Sequence, residues 1–375
     1  MHIASWPGRL DGNAFLEVLF GSLERLGNTI VPIESPSNGI SPQCQALLIQ
    51  WPDRIFWKAR PGTVPYKAAM AEITALWNWR RAGRKLVWVV HNHIPHDLNT
   101  GQKRLWKYYA AALAQIAHGY MTLSPATRET VLRVHPLLRG KPYAFFRHPA
   151  YPGVERGVEQ QRLRREQLGL PLNACVVGSL GKIRPYKGVP DLIAAFHGIA
   201  DANLRLLICG QVKDGSLRGE IERMSKRDTR ILLNFDLVSD EDYALNTAAC
   251  DGLVAPFKDY LHSGSLVYGM SARRKALTPR TPFAEDLAEC VGPGWLSLYD
   301  GGLTTDILRQ FISSTPGILN PVLSELEPSK AARKIVEFCS YLRRHEGGNL
   351  VGSQSPDSRN PSELSDLQTR AVRPN

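Results

Sequence analysis

The sequence predicts an α/β protein of two domains, each built on a parallel sheet, and three observations carry that prediction. Short β-prone apolar runs alternate with stretches whose apolar residues repeat at helical spacing, the pattern of strand-helix-strand units. The alternation restarts after a break at His148-Pro149-Ala150-Tyr151-Pro152-Gly153 and a charged run from Arg156 to Gln167. The 375 residues suffice for two cores of ordinary size, and a composition 43% hydrophobic and 22% charged is that of a globular chain.

Each element follows from its residues. Residues 2 to 5 read as a first strand, and Phe15 to Leu26 as a helix that Gly27 ends. Strands are expected at Thr29 to Ile33, Ala46 to Gln50 and Lys85 to Val90, with a helix over Lys67 to Gly83 between the last two. A helix over Lys103 to Ala117 and a strand over Gly119 to Leu123 follow. Ser124-Pro125 then supplies an N-cap and first-turn pair for Ala126 to Val134, and Tyr143 to Phe146 closes the first unit. The expected domains are residues 1–150 and 151–328, joined by a linker near 148 to 172. A final amphipathic helix covers 329–346, and a polar tail rich in Ser, Pro and Asn over 347–375 is expected to be disordered.

The most informative stretch runs from Val177 to Gly188, VGSLGKIRPYKG. An apolar strand enters a turn in which Gly178 and Gly181 allow close backbone approach, and Val189, Leu192, Ile193 and Phe196 then begin a helix. Such a strand-loop-helix unit aims backbone N–H groups and a helix dipole at an anion, and Lys182 and Lys187 add charge. The stretch reads as a diphosphate-binding turn; the plainer alternative is an ordinary βα turn with solvated lysines. Neither GxxxxGK[ST] nor GxGxxG occurs.

From Gly181 through Lys187-Gly188 to Phe196 the chain resembles the nucleotide-sugar half of GT-B glycosyltransferases, especially the large family 4 clan. Leu204 to Gly210, Ser239 to Phe257 and Leu261 to Met270 resemble further segments of that half in the same order, so the likeness covers roughly residues 170 to 285. The resemblance implies a GT-B architecture of two Rossmann-like domains, an N-terminal one for the acceptor and a C-terminal one for the nucleotide-sugar, with parallel sheets facing a central cleft. In that fold the final helix packs back across the junction. It also implies donor binding by Gly181, Lys182, Lys187, Ser263, Gly264, Ser265 and Tyr268. The family often carries two glutamates eight residues apart where this chain has Tyr260 and Tyr268, so a retaining outcome does not carry over. Gly12 to Leu16 and His91 to Asp97 are more similar to bacterial exopolysaccharide transferases of the xanthan type, which use GDP-mannose and invert.

An inverting transfer needs a base for the acceptor hydroxyl, supplied from the first domain. The strand Lys85 to Val90 ends at HNHIPHD, four titratable side chains at the carboxyl edge of a parallel sheet, where such sheets bind ligands. Asp97 and His96 are the favoured base or base-orienter pair, His91 is a donor or leaving-group contact, and Asp11 is a second candidate base. The alternative is a structural histidine-rich loop or an adventitious metal site. No DxD pair follows an apolar strand, so neither a metal nor another cofactor is expected. Cations take over the leaving-group charge.

Charge is uneven. Residues 1 to 150 hold 18 Lys+Arg against 8 Asp+Glu, a balance of +10, whereas residues 151 to 375 hold 28 against 27. The basic clusters are interleaved with Trp77, Trp79, Trp106, Tyr108 and Tyr109, which suits an anionic membrane surface. A solvated basic face over core tryptophans is the alternative. No nucleic-acid motif accompanies the clusters, so nucleic acid is not an expected partner. The six scattered cysteines read as reduced core residues. No apolar run reaches the ~18 residues of a spanning helix and the first residues form no signal-peptide core, so a cytoplasmic protein held peripherally at the inner membrane face is expected. The leading function is hexosyl transfer from GDP-mannose or a UDP-sugar to a lipid-linked or polysaccharide acceptor in exopolysaccharide or cell-surface glycan synthesis. Its rivals are a catalytically silent GT-B subunit that binds a membrane or partner, and a GT-B sugar epimerase.

Overall fold

The computed structural model describes residues 1–345 apart from 9, 11, 12, 61, 96, 97, 237 and 238. Two six-stranded sheets, parallel throughout, organise the chain. The first contains β1 (His2–Trp6), β2 (Thr29–Pro32), β3 (Ala46–Ile49), β4 (Lys85–Val89), β5 (Gly119–Thr122) and β6 (Tyr143–Phe145), in the order β2-β1-β3-β4-β5-β6. The second contains β7 (Cys175–Leu180), β8 (Leu204–Cys209), β9 (Ile231–Asn234), β10 (Gly252–Val254), β11 (Lys275–Pro279) and β12 (Leu296–Tyr299), in the order β12-β11-β10-β7-β8-β9. Strand order reverses between β1 and β3 in one sheet and between β7 and β10 in the other. Those switch points are where open parallel sheets leave a crevice beyond their carboxyl edges.

Alternation along each strand feeds a core on either face. Val87 and Val89 of β4 pack with Phe15, Leu16, Leu19 and Phe20 of the helix Ala14–Arg25 and with Ile335 and Phe338 of the last helix. Leu86 and Trp88 face the opposite way, onto Leu76, Trp79, Leu105 and Trp106. The tryptophans named with the basic clusters therefore divide. Trp79 and Trp106 are buried core residues, and only Trp77 is exposed. Two of the cations beside them are also committed to the fold: Lys85 is buried within β4, and Arg80 donates to the carbonyl of Ile116.

The charged run expected to be a linker is in part a helix, Val158–Gln167. Arg165 explains its attachment. Its side chain is buried, donates to the carbonyls of Ala249, Leu172 and Ala174, and makes two 2.9 Å bonds to the Asp251 carboxylate. Satisfied in this way, an arginine reads in sequence as surface but serves as a core strut.

The helix Pro328–Arg344 returns to the first sheet and packs against Ala14–Arg25, burying Ala331, Ala332, Ile335, Phe338, Cys339 and Leu342. Gly119 leaves room for the Phe338 ring, which a Cβ there would approach to 2.7 Å. Polar bonds also join the halves. Ser124 Oγ and Arg147 Nη2 each donate at 2.9 Å to the Asp286 carboxylate, and the Ala150 N–H donates to Leu326 O at 2.7 Å. Among the described residues no helix is long and apolar enough to cross a membrane. The tail over 347–375 lies outside the described residues.

Candidate active site

Beyond the carboxyl edges of the two sheets lies a cavity of about 420 Å³. One wall is Lys182, Arg184, Tyr186, Lys187, Phe257, Tyr260, His262 and Ser263 to Ser265; the other is Asp53, Trp57 and Asn92. The first wall is built by close backbone approach. Gly188 adopts φ +66°, and a side chain there would also collide with the Pro256 carbonyl, so only glycine lets the β7 turn dock against the end of β10. Gly181, at φ +98°, likewise sits against Gly210. Gly178 has another role than the expected approach to a ligand: inside β7 it makes room for the Cys250 sulfur.

Lys187 holds its ammonium 5.2 Å from the centre of the Phe257 ring. Burial, with Arg184 and Lys182 nearby, pulls its pKa down to about 8. A bound anion would offset this burial by favouring the charged ammonium. Across the cavity begins the helix Gly264–Ser271, capped by Ser263, whose Oγ accepts from Leu266 N and lies 3.2 Å from Ser265 Oγ. Its first N–H groups have no acceptor within the helix. Gly264 is tightly placed, since a Cβ would lie 3.0 Å from the Tyr151 hydroxyl and 3.4 Å from His148 Nε2. Three cations, Lys182, Arg184 and Lys187, and a helix N-terminus thus line one space.

Of the residues expected at the donor, Lys182, Lys187, Ser263, Gly264 and Ser265 line this cavity, and Gly181 adjoins Lys187. His91 and Tyr268 are not among its lining residues. The His91 ring is buried, stacked on Trp51 at 3.9 Å and 3.1 Å from Gln50 Oε1. Because Gln50 donates its Nε2–H to Ser5 Oγ, His91 Nε2 carries the proton. Burial, with His262 and His148 close by, holds His91 well below the ordinary imidazole range, so it stays neutral. Tyr268 lies among Tyr151 and Tyr243, with centroids 5.2 and 4.8 Å away. Tyr260, at the other position where the resembling family often has glutamate, lies 3.1 Å from Thr278 Oγ1 and donates to Pro279 O.

His96, Asp97 and Asp11 lie outside the described residues. His91 and His93, in the segment after β4, bridge the two halves. His262 Nδ1–H donates to the His91 carbonyl at 3.2 Å, and its Nε2, 3.1 Å from the Thr127 hydroxyl, accepts from it. That neutral form agrees with burial, which pulls His262 down to about 3. His93 Nε2 also meets Asp259 at 3.1 Å.

Sequence reasoning missed Asp53, a buried carboxyl on the first-half wall, one helical turn before Trp57. Burial raises its pKa to about 7, against the pull of its own backbone N–H and the Trp57 side chain. No motif marks it. Its only cue is its place just past a β-strand edge.

No family model matches the chain. A stretch of 128 residues, 34% of the chain, is 34% identical to the GDP-mannose:glycolipid 4-beta-D-mannosyltransferase of Xanthomonas campestris pv. campestris. The match spans 37% of that relative's length. Similarity of fold reaches much further. Anabaena Alr3699/HepE in complex with UDP-glucose matches with a TM-score of 0.62 and 15% identity, over 92% of this chain and 98% of its own. WaaG, a glycosyltransferase involved in lipopolysaccharide biosynthesis, matches with a TM-score of 0.59 and 14% identity, over 93% and 100%. The fold is GT-B. As expected of a GT-B chain, two parallel α/β sheets flank the crevice, and the segments that resemble the nucleotide-sugar half form the Lys182–Ser265 wall.

Proposed function

We propose that this GT-B protein is a glycosyltransferase that moves a hexose from a nucleoside-diphosphate donor to a glycolipid or other lipid-linked saccharide in cell-surface glycan or exopolysaccharide synthesis. The observation that carries the reading is the convergence of Lys182, Lys187 and the helix start at Ser263 to Ser265 on one cavity. Breaking the anomeric bond builds negative charge on the diphosphate, and preorganised cations and N–H donors lower that barrier. The side chains assigned to this task are cationic and polar, so the proposed transfer uses no metal. GDP-mannose is the first donor to test, because the similar Xanthomonas protein is named for it. The β-linkage in that name favours inversion, and Asp97, His96 and Asp11 remain sequence-based candidates for its base.

The domain roles follow. Residues 1–150 present the acceptor and 151–328 hold the donor, with the final helix fastening one to the other. Calorimetry with GDP and UDP, followed by donor turnover with GDP-mannose, tests the reading: binding with turnover supports an enzyme, and binding without turnover supports a silent subunit.

The surface of the first half supports peripheral membrane attachment. Tyr66, Met70 and Trp77 share one face of the helix Tyr66–Arg81 and are all exposed, as is Tyr108 on the adjoining helix Thr100–Ile116. Exposed Lys67, Arg81, Lys103, Arg104 and Lys107 accompany them. Rings at the interface and cations at anionic headgroups fit a bilayer surface.

A further inference from the structure

We propose that Asp53 is the catalytic base of this protein and, with Trp57 and Asn92, forms the subsite for the acceptor hydroxyl. The inference rests on the glycosyltransferase reading above and adds to it the residue that removes the acceptor proton. Three features lead to it. Asp53, Trp57 and Asn92 are the first-half side chains on a cavity whose other wall carries the cations and the helix start. A donor diphosphate held by those cations leaves its anomeric carbon turned toward the first half, where an attacking hydroxyl must arrive. Asp53 is 4% exposed yet lines the cavity, so it is removed from bulk water at the wall where a ligand would lie.

Trp57 completes the geometry. It lies four residues after Asp53 at the end of the short helix Arg54–Trp57, and 56% of its surface is exposed. A half-exposed indole beside a carboxylate is a common surface for a sugar ring, because the apolar face of the ring packs on the indole while its hydroxyls reach polar neighbours. The Trp57 side chain also lies close enough to Asp53 to favour its ionised form, against the effect of burial. The titratable groups facing Asp53 are Lys182, Arg184, Lys187, Tyr186, Tyr260 and His262 across the cavity, with Tyr109 behind it. A carboxyl raised by burial to about 7 matches the protonation change a base needs near neutral pH.

The chemical step balances. The acceptor O–H proton passes to an Asp53 oxygen as the acceptor oxygen bonds to the anomeric carbon. The bond from that carbon to the diphosphate breaks, and its electron pair leaves on the nucleoside diphosphate, between Lys182 and Lys187. The donor carbon is attacked from the side opposite the leaving group, so the linkage inverts.

The test measures GDP release from GDP-mannose by the full-length protein, with octyl glucoside, octyl mannoside and octyl glucuronide as acceptor probes. GDP affinity is measured in parallel by calorimetry. Asp53→Asn should lower release about 100-fold while GDP affinity stays within about twofold. Formate should restore part of the release to Asp53→Ala. Wild-type turnover should fall as pH drops below about 7, because the protonated carboxyl cannot accept the proton; this readout stands even if a variant fails to fold. Wild-type release with Asp53→Asn within about threefold of it, or an acid limb unchanged in that variant, overturns Asp53 and leaves the glycosyltransferase reading intact. A wild-type protein that releases neither GDP from GDP-mannose nor UDP from UDP-glucose overturns that reading and the base with it. A loss of about 100-fold in Asp97→Asn, with Asp53→Asn nearly normal, moves the base to Asp97.

Discussion

The two walls of the cavity are made in opposite ways. The second-half wall comes largely from two compact segments: the turn after β7, where glycines allow backbone to touch backbone, and the helix start at Ser263 to Ser265, where Gly264 fits against the Tyr151 and His148 side chains. The first-half wall is Asp53, Trp57 and Asn92, single side chains from the loops after β3 and β4. A wall made of backbone geometry leaves a signature in consecutive residues. A wall made of isolated side chains does not, because any loop residue of suitable chemistry can serve once the sheet has placed it.

This comparison can be broken at its strongest point first. Lys187→Ala removes a preorganised cation from the backbone-built wall and should slow transfer by on the order of 10² to 10³, with weaker GDP binding and an unchanged circular dichroism spectrum. Lys182→Ala should behave alike. Unchanged GDP and UDP affinity in calorimetry would show that the turn after β7 holds no diphosphate.

The next test concerns the frame. Arg165→Ala removes the arginine from the Asp251 carboxylate, which keeps the Val176 N–H, and from three carbonyls, and should lower stability by about 3 kcal/mol, read as a shift in the urea midpoint. A loss below about 0.5 kcal/mol would place the arginine in the class of surface substitutions.

A subtler test uses pH. Burial pulls the Lys187 pKa down to about 8, below the ordinary lysine value of 10.5. Folding therefore disfavours the charged form, and stability gains from this group as pH rises from about 8 toward 10.5. Nucleotide binding should go the other way. GDP affinity should fall several-fold between pH 7 and 9 as the ammonium is lost, and this dependence should vanish in Lys187→Ala. Equal slopes in both proteins would exclude Lys187 as the titrating cation.

The smallest effect is expected at the exposed face of the first half. Each cation near an anionic bilayer contributes about 1 kcal/mol. Lys103→Ala with Lys107→Ala should therefore cut sedimentation with anionic vesicles several-fold, while raised salt releases the wild-type protein. Equal recovery on neutral and anionic vesicles would remove the membrane from the proposal. Trp106→Ala is a control of another kind: it should unfold the first core before it changes membrane affinity.

Much of the fold was legible because period and punctuation are local. The strands at 46 to 50 and 85 to 90, the helix over 67 to 83 and the final helix lie within two or three residues of their observed bounds. The GT-B character was legible too, since four segments followed one another in the order of a known half. Side-chain destination was less so. Trp77 and Trp79 are two residues apart on one helix, yet one is exposed and the other is core. Arg165 sits in a run of charges and is buried, because carbonyls from distant segments converge on it.

The sequence by itself determined the alternating elements, the parallel sheets, the basic first half and the glycine-cation turn, all of which are written in patterns and composition that can be read along the chain. Only the tertiary structure decided that His91 faces Gln50 and Trp51, that Tyr268 joins Tyr151 and Tyr243, and that Asp53 reaches the cavity. The physical reason is that burial and electrostatic environment are properties of neighbours in space. A carboxyl at about 7 and an ammonium at about 8 owe their values to water excluded by two sheets that close on one another.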